Sequence, residues 1–163
     1  GARDICLTAG NLHTDDVRDL YRDLILDHAR NPRHFGKLDH ATHSAEGINP
    51  LCGDKLKLYL AVDADETIKG AAFEGSGCAI SVASASLLTD TVIGLNSNDA
   101  MAIFDAVTAQ LSGDATGERK VDLGKLRALA GVREYPTRVK CATLAWHALK
   151  SALRQDTAPA STE

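Results

Sequence analysis

No run of apolar residues in this chain is long enough to span a bilayer. Its 18 basic residues form no block, and 22 acidic residues bring the formal net charge to −4. That balance argues against a nucleic-acid groove. Residues 1–16 lack the apolar stretch of a secretory signal, so the expected location is cytoplasmic, with no membrane and no nucleic-acid partner. Internal repeats are absent. Cysteine is scarce, 4 in 163 residues. An even count admits two disulfides, but disulfide scaffolds belong to small secreted domains, and a chain of this length can fold around a core without such staples. One domain accommodates it.

What is present is a chain of alternating helical and strand periods. Thr14 is placed to cap a first helix, with Asp15 and Asp16 where the helix dipole favours negative charge. Val17, Leu20, Tyr21, Leu24, Ile25 and His28 then recur at helical spacing up to Asn31-Pro32. Residues 44–49 and the alternating Lys55-Leu56-Lys57-Leu58-Tyr59-Leu60 predict two strands. A turn at Asp63-Ala64-Asp65-Glu66 returns the chain as a third strand from Ile68 to Phe73. Gly75-Ser76-Gly77 is expected to break the sheet and open a helix from about Cys78 to Ile93. Ser97 caps a further helix with an apolar stripe of Ala100, Ile103, Phe104, Val107 and Leu111. Residues 112–121 read as a surface loop, and a short helix is expected from about Leu123 to Ala130. Pro136 begins a last helix with Ala142, Trp146, Leu149 and Leu153 on one face. The expectation is α+β: a small three-stranded antiparallel sheet with about five helices packed on it. Residues 1–13 form a loose leader, 14–154 the single domain, and 155–163 a polar tail.

Three cysteines sit in distinctive frames: Asn49-Pro50-Leu51-Cys52-Gly53-Asp54, Gly75-Ser76-Gly77-Cys78-Ala79-Ile80-Ser81, and Arg138-Val139-Lys140-Cys141-Ala142-Thr143-Leu144. With Asp54 they supply three thiolates and a carboxylate, a donor set suited to four-coordinate zinc. In extended backbone Cys52 and Asp54 point to the same face, with Gly53 letting the chain bend between them. The same residues also describe a turn aspartate beside a buried cysteine. Cys78 falls where a glycine-rich turn meets a helix start, whose partial positive charge favours a thiolate; a small buried residue at a tight junction reads alike. Cys141 is flanked by Arg138 and Lys140, either thiolate-stabilising cations or an ordinary solvated face. Their wide separations match no zinc finger or ribbon, so a shared site has to be assembled by the fold. His28, His34, His40, His43 and His147 are scattered and read as surface or helix-face residues. Trp146 reads as core, and Cys6 as an incidental thiol.

The three cysteine frames, in this order, resemble the SufU / IscU / NifU N-terminal family of iron–sulfur cluster assembly proteins, over about Tyr21 to Leu153. Lys140 stands where the scaffold branch usually carries histidine, and about Asp114 to Tyr135 looks like the insertion of the SufU branch. The resemblance implies a zinc-dependent sulfurtransferase working with a SufS-type pyridoxal-phosphate cysteine desulfurase and feeding downstream cluster-assembly proteins. It implies zinc held by Cys52, Asp54, Cys78 and Cys141, with Cys52 accepting persulfide sulfur once a desulfurase histidine takes over a zinc position. Arg138 and Lys140 would then attract the anionic persulfide or anchor the partner. Two other readings stay open: a scaffold for a transient [2Fe–2S] cluster, since thiolates suit both, and a binding module with purely structural zinc. A cysteine hydrolase finds little support, because no histidine is placed to suggest a base.

Overall fold

The computed structural model describes residues 14–112, 123–155 and 160–161. The order is helix α1 (Thr14–Arg30), strands β1 (His43–Asn49), β2 (Asp54–Val62) and β3 (Ile68–Ser76), helices α2 (Ala79–Val92) and α3 (Ser97–Ser112), a 3-10 helix (Gly124–Glu134), helix α4 (Pro136–Arg154) and a two-residue strand β4 (Ala160–Ser161). The expected three-stranded antiparallel sheet and five helices are present.

Alternation along the strands determines which face of the sheet is covered. In β2, Asp54, Leu56, Leu58 and Leu60 are buried, while Lys55, Lys57 and Tyr59 lie on the more exposed face. In β1, Ala45, Gly47 and Asn49 share the buried face. The two strands form an antiparallel hairpin in which Asn49 stands opposite Asp54. The final buried-face position of β1 and the first of β2 are therefore polar and face each other. This is the geometric origin of the site described below.

The glycine-rich stretch after β3 does not break the sheet where expected. Gly75 pairs with Leu56 and Ser76 with Lys55, so β3 runs on to Ser76 and only Gly77 and Cys78 separate it from α2. The last expected helix start, Pro136, is observed, and proline suits the first helical turn because its missing N–H would be unbonded there anyway. The short helix expected near residues 123–130 is a longer 3-10 helix ending at Glu134, burying Leu126, Leu129 and Val132. Gln110 of α3 ties it down by donating to the Leu126 carbonyl at 3.0 Å. The chain's end is not tail alone: Ala160 and Ser161 add to β1 in parallel, opposite Gly47 and Ile48, giving the sheet order β3-β2-β1-β4. The expected leader, and most of the expected loop at 112–121, lie outside the described residues.

The core lies between the sheet and helices α2 and α4. Residues from Ser81 through Thr89 of α2 are buried except Val82, and many are Ala or Ser, which lets neighbouring elements approach closely. The α3 stripe Ala100, Ile103, Phe104, Val107 and Leu111 is buried throughout. On α4, Ala142, Trp146 and Leu149 are buried, and Leu153 is half-buried. Trp146 is a core residue, its indole N–H donating to Ser84 Oγ at 3.1 Å.

Candidate metal centre

Three elements meet at one end of the sheet: the turn from β1 to β2, the junction from β3 to α2, and the first turns of α4. Ligand atoms of Cys52, Asp54 and Cys141 lie within 4.8 Å of one another, a group able to hold a metal ion. The edges of a tetrahedral zinc site with sulfur and oxygen donors are about 3.3–3.8 Å, so the trio needs only a slight contraction. Three thiolates and a carboxylate also suit zinc chemically, and the residues present fit that ion.

Cys52 does not occupy extended chain, as its spacing from Asp54 suggested. It sits in the turn Pro50–Gly53, closed by the Gly53 N–H donating to the Asn49 carbonyl at 2.9 Å. Gly53 takes φ +73°, a left-handed conformation that a residue with a side chain seldom adopts. The turn brings Cys52 back over Asp54 and leaves it half-buried, whereas Asp54 and Cys141 are buried.

Asp54, 1% exposed, is gripped at both oxygens. The Cys78 N–H donates to Oδ1 at 2.9 Å, and the Asn49 amide donates to Oδ2 at 3.2 Å. Gly77 leaves room for this approach, since a Cβ there would stand 2.5 Å from Asp54 Oδ1. Cys78 is the N-cap residue of α2, with extended backbone, as its place at a helix start predicted. Its sulfur is outside the tight trio, yet it interacts with the Cys141 sulfur.

Cys141 is fully buried. Burial pushes its thiol well above the ordinary range, and interactions with Asp54, Cys52 and Cys78 push the same way. A buried thiolate of this kind is sustained by a cation that displaces the proton. Arg138 reaches the same end of the site: its charge interaction with the Cys78 sulfur foremost, then its polar interactions with the Cys141 and Cys78 sulfurs, hold its guanidinium more firmly protonated. Arg138 is exposed. Lys140 is half-buried, with no side-chain hydrogen bond or ion pair among the described residues.

The histidines stand apart. His28 lies on the buried face of its helix, 2.7 Å from Ser86 Oγ through Nδ1. His147 packs edge-on against Phe104. The residue that sequence spacing missed is Asn49, whose amide nitrogen also donates to Cys141 Sγ at 3.5 Å. Strand parity carried the signal, because Ala45, Gly47 and Asn49 alternate on one face.

The chain belongs to the NifU-like N terminal domain family, whose model matches residues 20–142. It is 41% identical to the iron-sulfur cluster assembly scaffold protein IscU of Streptococcus pyogenes serotype M1, over 85% of this chain and 86% of that one. It is 38% identical to the zinc-dependent sulfurtransferase SufU of Bacillus subtilis strain 168, over 84% and 91%. Among solved structures, one described as an iron-sulfur cluster assembly scaffold protein for the SUF system (FiSufU), from the thermophile Fervidobacterium islandicum AW-1, superposes with a TM-score of 0.73 at 35% identity, covering 80% of this chain and 93% of that one.

Proposed function

We propose that this protein is a zinc-dependent sulfur acceptor, taking persulfide sulfur from a SufS-type cysteine desulfurase and relaying it for iron–sulfur cluster assembly. The observation that carries this reading is the unequal exposure of the site: Cys52, like Cys78, is half-buried, and it sits on a turn within the tight trio whose other members, Asp54 and Cys141, are buried. A partner can reach Cys52 and not Cys141. Cys52, Asp54, Cys78 and Cys141 are the ligands in this reading. Bound zinc would supply a redox-inert cation that keeps the thiols deprotonated.

Cys52 is the nucleophile. Its thiolate attacks the outer sulfur of the partner's persulfide, R–S–SH. A Cys52 S–S bond forms, the partner's S–S bond breaks, and the electron pair leaves on the partner's cysteine sulfur. Sulfur changes carrier with no net oxidation, and the protein acts only with its partner. Arg138, exposed beside the site sulfurs, is placed to attract the anionic persulfide, and Lys140 extends the basic rim. The Lys140 frame favours this reading over a cluster scaffold, the role in which the Streptococcus relative is named.

Desulfurase turnover measured with and without the zinc-loaded protein tests the proposal. A large acceleration, lost in folded Cys52→Ala protein, is the expected result. No acceleration with a verified cognate desulfurase would reject it, and a brown, oxygen-sensitive species formed with iron and sulfide would then favour the scaffold.

A further inference from the structure

Asn49 is fully buried at the end of β1, opposite Asp54. Its amide nitrogen serves two site residues at once, Asp54 Oδ2 at 3.2 Å and Cys141 Sγ at 3.5 Å. Its amide oxygen is the single buried side-chain polar atom without a hydrogen-bond partner among the described residues. These facts are connected. An ionised carboxylate and a thiolate only accept hydrogen bonds, so the donor end of the amide has to face them. The acceptor end is thereby turned into a pocket that offers it no donor. Such an orphaned acceptor disfavours the fold, and an apolar side chain of the same shape would avoid it. Packing alone does not account for asparagine here, whereas bonding to two ligand positions does.

We infer that Asn49 is a positioning residue that locks Asp54 and Cys141 as a fixed ligand pair. That role rests on the ligand set proposed above and not on sulfur transfer to Cys52.

Two substitutions test it on the full chain. Asn49→Ala removes the donor and leaves space, while Asn49→Leu removes the donor, roughly keeps the shape and abolishes the orphaned oxygen. Zinc affinity is read by competition with a chromophoric chelator, and ligand geometry by the absorption spectrum of the cobalt(II)-substituted protein.

The leucine variant is expected to fold at least as stably as wild type yet bind zinc about 10–100-fold more weakly, the usual effect of losing a hydrogen bond behind a ligand. Its cobalt spectrum should shift. Alanine should act in the same direction. If either folded variant binds zinc within about two-fold of wild type with an unchanged cobalt spectrum, the positioning role is rejected. Wild-type protein that binds no zinc would overturn the ligand set proposed above, and the positioning role with it.

Discussion

Asp54 has both carboxylate oxygens engaged by protein donors, the Cys78 N–H and the Asn49 amide. Each oxygen keeps a further lone pair, so the carboxylate can still bind a metal while its orientation is held. That arrangement depends on Gly77. A methyl group there would overlap Asp54 Oδ1 at 2.5 Å, and the buried carboxylate would have to rotate out of both hydrogen bonds. Gly77→Ala should therefore lower stability by about 1–3 kcal/mol, the usual penalty of overpacking, and weaken metal binding too. Denaturant unfolding and chelator competition measure the two effects. An alanine variant with both properties unchanged would show that Asp54 is not held as described.

At the scale of elements, the position of α4 matters most, because it carries Cys141 and Arg138 to the sheet. Its seating against α2 runs through Ser84, whose hydroxyl donates to the Ala142 carbonyl at 2.5 Å and accepts from the Trp146 indole at 3.1 Å. Ser84, Ala142 and Trp146 are all buried. Ser84→Ala leaves the indole N–H without a partner, and an unsatisfied buried donor costs about 1–3 kcal/mol. The expected loss is read by denaturant unfolding followed by far-UV circular dichroism, a probe that survives replacement of the chain's single tryptophan. Combining Ser84→Ala with Trp146→Phe, which removes the donor, should cost less than the two single losses added. Strict additivity would show that the two side chains are not coupled. The hairpin Asn49–Asp54 and the cap at Cys78 are the other two supports of the site, and each is a junction between elements rather than the middle of one.

For the whole molecule, buried histidine links stability to acid. Burial holds the His28 pKa below the ordinary imidazole value, with Arg33 and Lys125 adding repulsion and Asp27 and Asp90 opposing it. His147 is displaced the same way, first by burial and then by Lys150. The unfolded chain therefore binds these protons more readily than the folded one. Stability is complete above the ordinary histidine pKa of about 6.5 and falls as pH drops below it. Asp27, Asp63 and Asp90, whose pKa values are lowered chiefly by hydrogen bonds from Arg33, the Thr67 backbone and Lys125, lose their contribution only in the more acidic carboxylate range. Chelator-treated protein should be less stable to urea at pH 5.5 than at pH 7, and the difference should shrink in His28→Gln. Chelation removes the competition between protons and metal at the thiols. An equal difference in wild type and variant would show that His28 is not the linked group.

Periodicity and local chemistry were sufficient for most elements, though not for β4, which read as tail. Strand alternation in Lys55–Leu60, the α3 stripe from Ala100 to Leu111 and the start of α4 at Pro136 all follow from hydrophobic spacing and backbone chemistry, which act within a few residues and so are written in the sequence. The four ligand candidates were legible too, as unusual frames around Cys52, Cys78 and Cys141. Convergence was not. That Cys141 meets Cys52 and Asp54 follows from the packing of α4 on the sheet, a contact between distant parts of the chain that no local pattern encodes. The same distance hid the roles of Asn49 and Gly77, whose partners are identified only when β1, β2 and the β3–α2 junction come together. The extent of β3 and the partners of His28 were decided in the same way, by hydrogen bonds available only in the assembled fold.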